Sequence, residues 1–346
     1  VGRKNKQWLK GALAAGAILP QLARRMDKVR TDKAYYRWVE EGMNDDALLL
    51  SASDHREEGI YPSIVDGLPL AFTIIKAEDP KGLVQIIHGA QEHRGYYLDF
   101  AAALAKEGYT VFLSDNRGHG DSVSADHPRA YISSIDDLLV DQYSLTVYFK
   151  RRFPGLPLAL FGHSFGSLIA RNYIMDHDDM IDKLILTGVV CYPPSAKIGL
   201  AFGNIERFFT NGKRRGALVT MMDSKTKAAL NTISNSPEFL DSFKEDEKLV
   251  THYLNGGAMA IWEAASRLKD CRRYKVKNPG LKVLALNGSE DPLTGGVEGL
   301  TDTANTFYNL GYRDYENRVF PLMKHDLLHE EATEYVMKDI IGFLEK

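Results

Sequence analysis

Cysteine is scarce in this sequence: of 346 residues only Cys191 and Cys271 carry thiols, about eighty positions apart. That argues against a disulfide framework and, with no Cys or His cluster at ligand spacing, against a zinc site. Net charge is nearly absent too. Forty-three basic residues against 46 acidic ones leave −3, so the chain as a whole offers no field for a nucleic acid. Long apolar runs are missing, and nothing approaches the ~20 residues that a membrane-spanning helix needs. There is no internal repeat and no low-complexity segment. What is present, 44% hydrophobic and 26% charged, is the composition of an ordinary globular chain. The length suffices for one large α/β domain with an insertion.

The first thirty residues differ from the rest. They hold eight Lys or Arg (Arg3, Lys4, Lys6, Lys10, Arg24, Arg25, Lys28, Arg30) against Asp27 alone. Between the basic ends, Gly11–Leu19 is a short apolar run stopped by Pro20. Three readings fit. One is a weak secretory signal, although no A-x-A cleavage site follows. Another is an amphipathic segment lying on a lipid surface. The third is a docked terminal helix. The expected location is cytoplasmic or peripherally membrane-associated, with membrane contact through residues 1–30 and secretion left open.

From Arg56 on, strands alternate with helices. Two strand-like stretches flank Asp66-Gly67, a hairpin turn signal. Apolar strands read at Gly82–Ile87, Tyr109–Ser114, before Gly162, and at Lys183–Val190, Leu281–Asn287 and Glu316–Pro321. Helices read at Tyr97–Lys106, Ile135–Phe153, Leu168–Asp176, Glu298–Leu310 and Ala332–Leu344. Such alternation builds a mostly parallel sheet covered on both faces, with reactive loops at the carboxyl ends of strands. The alternation stops between Cys191 and Pro279. Helical spacings there (Phe202, Ile205, Phe209; Ile261, Ala265, Leu268) predict an inserted helical cap at 191–279.

Gly162-His163-Ser164-Phe165-Gly166 sits between a strand and a helix, the pattern of a nucleophile elbow. A serine hydroxyl is a weak nucleophile, so it must stand clear of its backbone and meet a base. The strained turn leaves no room for side chains on either side, hence the two glycines. In this layout the serine is followed by an acid and then a histidine, each in a loop after a later strand. Asp291 and His325 occupy those loops. His329 competes as the base, and four residues from His325 it also fits a helical metal pair. Asp326 stands where that motif carries glutamate, and no third ligand is evident, so no metal is expected. The oxyanion donors should be the N–H groups of Phe165 and of Ala90 in His88-Gly89-Ala90. His119 and His163 read as turn or packing residues. Gly118-x-Gly120 opens no helix, so no dinucleotide, and no other cofactor, is expected.

The pieces HGAQEH (88–93), DNRGHGDS (115–122), GHSFGS (162–167), GSEDP (288–292) and MKHDLLHE (323–330) together resemble one known group. It is the α/β-hydrolase group of monoacylglycerol lipases and bacterial lysophospholipases, the serine aminopeptidase-type hydrolases. The resemblance covers about residues 57–346. It implies the α/β-hydrolase fold, a mostly parallel eight-stranded sheet flanked by helices. The alternation and the basic start divide the chain into a segment 1–45, a core of 46–190 and 280–346, and the cap between. The resemblance implies Ser164, Asp291 and His325 as the triad, with Ala90 and Phe165 as oxyanion donors. The implied activity is serine carboxylester hydrolysis of monoacylglycerol or lysophospholipid esters through an acyl-enzyme, with a small lipid or ester as the partner. Two departures stand out: Gln91 replaces a small residue of the group, and Phe165 replaces its usual Met. Two rival readings remain. A peptidase or acyltransferase would use the same triad, the peptidase holding a substrate amine with Glu206 or Glu263. A non-catalytic binding protein is opposed by the intact triad. Apolar bulk in the insertion (Phe202, Ile205, Phe209, Leu218, Met221, Met222, Met259, Trp262) reads as the roof of an acyl pocket.

Overall fold

The computed structural model describes residues 36–42, 47–194, 196–216, 219–220 and 232–346. The basic segment 1–30, Leu218, Met221, Met222 and the side chains of Phe202 and Phe209 lie outside the described residues. The chain forms two compact units, 1–45 and 46–346. In the first, residues 36–40 are helical.

The second unit holds one sheet of nine strands: β1 Leu48–Ala52, β2 Arg56–Pro62, β3 Pro69–Ile75, β4 Gly82–Ile87, β5 Tyr109–Ser114, β6 Leu158–His163, β7 Lys183–Thr187, β8 Lys282–Gly288 and β9 Tyr315–Phe320. Their spatial order is β1-β2-β3-β5-β4-β6-β7-β8-β9. Pairing is antiparallel from β1 through β3 to β5, and parallel from β5 onward to β9. Eight helices are described: α1 Leu98–Lys106, α2 Ile135–Arg152, α3 Phe165–His177, α4 Ala196–Thr210, α5 Pro237–Glu245, α6 Asn255–Arg267, α7 Gly296–Leu310 and α8 Thr333–Leu344. None of the described helices is long and apolar enough to cross a membrane. The sequence leads one to expect eight strands, and the ninth is β1. Every residue of β1 is exposed, so it lacks the in–out alternation that marks a one-sided strand.

β4, β5 and β6 are buried along their whole length, as strands covered on both faces must be. On one face Leu104 of α1 and Val336, Ile340 and Phe343 of α8 pack with Val84, Val111 and Phe161. On the other, Phe112 stacks on Phe72 at 5.3 Å and meets Phe149 of α2 at 5.1 Å. α2 starts where its sequence says it should. Ser134 Oγ accepts the Asp137 N–H at 3.1 Å, Asp136 and Asp137 fill the first turn, and Lys150, Arg151 and Arg152 fill the last.

The β7–β8 connection carries α4, α5 and α6. Ile205, one of the residues whose spacing predicted a helix here, is 49% exposed. Leu200 of α4 packs on the Ala258–Met259 cluster, and two glycines lie beside it. A Cβ at Gly199 would overlap the Trp262 ring, and one at Gly203 would overlap Met259, so two large side chains of α6 lie against bare backbone. The connection is also tied to the sheet domain. Asn172 of α3 donates to the Ala264 carbonyl at 3.0 Å, and the His325 and Asp326 N–H groups donate to the Thr232 and Ile233 carbonyls at 3.2 and 2.8 Å.

Candidate active site

Ser164 follows β6 directly and stands at the N-cap of α3 with φ 51° and ψ −115°, a region that a residue with a Cβ enters only under constraint. The constraint is visible. The Ser164 N–H donates to the Thr187 carbonyl at 3.0 Å, and Ser167 Oγ donates to the Ser164 carbonyl at 2.6 Å. A Cβ at Gly162 would lie 2.4 Å from the Gly166 carbonyl oxygen, and one at Gly166 would lie 2.0 Å from the Ile87 carbonyl oxygen. The two glycines let the turn close against β4.

Two loops that follow later strands converge on this turn. His325 Nε2 lies 2.7 Å from Ser164 Oγ, and His325 Nδ1 lies 2.8 Å from Asp291 Oδ2. The second Asp291 oxygen accepts the Leu293 N–H at 2.8 Å, which fixes the carboxylate plane. An ionised carboxylate only accepts, so the proton sits on Nδ1 and the Nε2 lone pair faces the serine. Burial by itself would lower the His325 pKa. The Asp291 hydrogen bond and charge, with Asp326 and Glu92 further off, outweigh it and hold the imidazole above 6.5. A base must be neutral to take a proton. The acid limb of kcat/KM for a neutral ester should therefore rise with a midpoint above 6.5, because the protonated histidine persists to higher pH. A midpoint below 6.5 in a pH–rate profile would show that another group is the base.

His329 does not reach the serine. Its Nδ1 lies 2.7 Å from Asp326 Oδ2, its Nε2 lies 3.1 Å from the Tyr96 carbonyl, and its ring stacks on Phe239 of α5 at 4.1 Å. Burial would lower its pKa, but the Asp326 charge and hydrogen bond push it up to about 9. Asp326 is held at about 2: burial alone would raise it, and His329 reverses that.

The loop after β4, which carries Ala90, is bonded at several backbone atoms. The Asn116 N–H donates to His88 Nε2 at 2.9 Å, so that nitrogen is an acceptor and the His88 proton is on Nδ1. Burial, then the nearby His119, keeps this imidazole neutral by lowering its pKa well below 6.5. Nδ1–H therefore donates to the Gly89 carbonyl at 2.8 Å. The N–H and C=O of one trans peptide point in opposite directions, so this bond also sets where the Ala90 N–H points. The Gly89 N–H donates to Glu92 Oε2 at 2.9 Å, and the Tyr97 hydroxyl to the same oxygen at 2.6 Å. The Ala90 N–H has no acceptor among the described residues. The Phe165 N–H, first in α3, has no intrahelical partner.

Among the described residues, Glu92, His163 and Asp326 form the one carboxylate–imidazole group compact enough to consider for a metal, with ligand atoms within 4.8 Å of one another. Its donor set fits protein hydrogen bonding instead. Glu92 is taken by Gly89 and Tyr97, Asp326 by His329, and His163 Nδ1 lies 3.0 Å from Thr187 Oγ1.

The sequence model of the family described as "Serine aminopeptidase, S33" matches residues 78–332. The chain belongs to this family. This S33-type hydrolase is 35% identical over 268 residues to a monoglyceride lipase homolog of Monkeypox virus, spanning 75% of this chain and 88% of that one. It is 33% identical over 277 residues to phospholipase YtpA of Bacillus subtilis, spanning 78% and 98%. A thermostable carboxyl esterase of Bacillus coagulans superposes with a TM-score of 0.76 over 85% of this chain and 99% of that one, at 20% identity, a likeness of fold. The fold is that of α/β hydrolases, and the chain is an enzyme of the carboxylic ester hydrolase class.

Sequence spacing points to Ser164, Asp291 and His325, which the structure joins in series through the two His325 nitrogens, and it separates His325 from His329. It gives no sign of Tyr253, whose hydroxyl donates to the Ala90 carbonyl, or of the His88 tautomer. Both depend on contacts far apart along the chain.

Proposed function

We propose that Ser164, His325 and Asp291 are the catalytic triad of a lipid carboxylester hydrolase that works through an acyl-enzyme. The observation that carries this reading is the relay of 2.7 and 2.8 Å from Ser164 through His325 to Asp291. Ser164 Oγ attacks the ester carbonyl while His325 Nε2 takes its proton. The tetrahedral oxyanion accepts hydrogen bonds from the Ala90 and Phe165 N–H groups. His325 returns the proton to the departing alcohol, and water, activated by the same nitrogen, releases the acid. Monoacylglycerol or lysophospholipid esters are the substrates we favour, because the relatives above are named for monoglycerides and phospholipids. The peptidase alternative is weakened at its anchor. Glu263 is paired with Arg267 at 2.5 Å, and Glu206 accepts from Asn255 Nδ2 at 3.3 Å.

In this reading the β7–β8 connection is a cap, and its apolar cluster of Val219, Ala258 and Met259, with Leu200 and Trp262 against it, borders the acyl site. Each CH₂ buried is worth about 0.8 kcal/mol, or roughly fourfold if realised fully in the transition state. Across esters kept below micelle-forming concentrations, kcat/KM should climb several-fold per two carbons from acetyl to octanoyl and then level. A series that falls after propionyl would reject the lipid substrate and leave a small-ester or peptidase role.

A further inference from the structure

The oxyanion loop is gripped from the cap as well as from the sheet domain. The stretch 246–254 runs alongside it. Asp246 lies 2.8 Å from His93 Nε2 and accepts the Tyr96 hydroxyl at 2.8 Å. The Val250 N–H donates to the Gln91 carbonyl at 2.9 Å, and the Leu254 N–H to the Ala130 carbonyl at 3.2 Å. Between these anchors the Tyr253 hydroxyl donates to the Ala90 carbonyl. His119 Nε2 lies 2.7 Å from the same oxygen and 2.7 Å from the Tyr253 hydroxyl. A carbonyl oxygen has two lone pairs and only accepts, so the Tyr253 hydroxyl and, in the tautomer protonated at Nε2, His119 converge on it, while His119 Nδ1 lies 3.1 Å from the Arg117 carbonyl. The ring of Tyr253 is seated against Gly257 at the start of α6, where a Cβ would come within 2.6 Å of it.

Two successive carbonyls of the loop, at Ala90 and Gln91, are thus held by cap residues, and the Gly89 carbonyl is held by His88. Inside this set of bonds the Ala90 N–H has no acceptor among the described residues. We infer that Tyr253 is a positioning residue for the reaction: by holding the Ala90 carbonyl it fixes the 90–91 peptide, while His88 fixes the 89–90 peptide that carries the Ala90 N–H, and clamping both peptides sets the Ala90 backbone turn that presents this N–H to the oxyanion, so the cap completes the catalytic centre. This rests on Ala90 as an oxyanion donor in the mechanism proposed above. Tyr253 acts through the backbone and touches no reacting atom. Burial, then the Glu92 charge, raises its pKa well above 10, so the hydroxyl keeps its proton at any pH where the enzyme works.

The test is Tyr253→Phe in the full chain, which keeps the ring and removes the donor. The readouts are kcat and KM for a short-chain ester and the Ki of a trifluoromethyl ketone, which forms an oxyanion adduct with the serine. Rates are normalised to active sites counted by phosphonate titration run to completion, so a partly unfolded preparation does not distort them. A donor held loosely costs less than a donor removed. We expect kcat to fall about tenfold to hundredfold with KM within about twofold, and Ki to rise by the same factor as kcat falls. Tyr253 and His119 share one acceptor, so Tyr253→Phe with His119→Ala should lose less than the product of the single losses. Unchanged kcat and Ki would overturn the inference, as would a loss of kcat with Ki unmoved, because a role confined to packing the cap leaves oxyanion binding alone. Either result leaves the triad standing if Ser164→Ala is dead to phosphonate. A Ser164→Ala protein that still labels removes the nucleophile and this inference with it.

Discussion

Replacing Ser164 with alanine is expected to lower kcat for a soluble short-chain ester by about 10⁴–10⁶-fold and to abolish phosphonate labelling. The size follows from how the three side chains are joined. Without Oγ, His325 Nε2 loses the hydroxyl 2.7 Å away and has no proton to take, so the Asp291–His325 pair stabilises nothing. The residual rate is that of water attack assisted by the oxyanion donors alone. Structure should survive the change. Alanine has the same Cβ as serine at φ 51°, and the bonds that hold this turn, from the Ser164 N–H to Thr187 and from Ser167 to the Ser164 carbonyl, are made by backbone atoms of residue 164. Unfolding curves should therefore nearly coincide while activity is gone. Labelling that persists in the variant would place the nucleophile on another serine.

Most of the sheet was legible because its strands carry a strong local signal. β4, β5 and β6 are short, wholly buried apolar runs, and each ends at a polar, glycine-containing loop. The serine, the acid and the histidine were legible for a related reason. Each is the chemically required residue type at a strand end, and their order along the chain is dictated by the fold. β1 was not legible, because a strand exposed on both faces has no reason to alternate. The glycine contacts of α4 were hidden for the opposite reason. Large apolar residues mark a stripe in sequence, whereas here Ile205 faces solvent and glycines admit the side chains of another helix. Tyr253 had no signal at all. It meets Ala90 across 163 positions of chain, and a tyrosine in a polar loop looks the same whether or not a carbonyl lies opposite it.

His325→Ala should cost kcat about as much as Ser164→Ala, whereas His329→Ala should stay within about tenfold of the parent enzyme, because groups of one triad fail together and a group outside it does not. The two imidazoles are four residues apart and both face buried carboxylates, yet their partners give them different work. His325 spans Asp291 and Ser164 with one nitrogen each. His329 spends Nδ1 on Asp326 and Nε2 on the Tyr96 carbonyl, so neither is left for a substrate proton. Its loss should appear in stability instead, since the Asp326 carboxylate beside it is buried and would lose its counter-charge. The pH dependence of that loss separates the two roles further. The His329 pKa is raised to about 9, so its contribution is complete below 6.5 and is lost as pH rises through about 9. The Asp326 pKa is lowered to about 2, so its contribution is complete above 3.8 and is lost as pH falls through about 2. The gap in Tm between the parent and His329→Ala should therefore be widest between pH 3.8 and 6.5 and should narrow on both sides. A His329→Ala protein that is folded, with an unchanged Tm, but inactive would exchange the two assignments and make His329 the base.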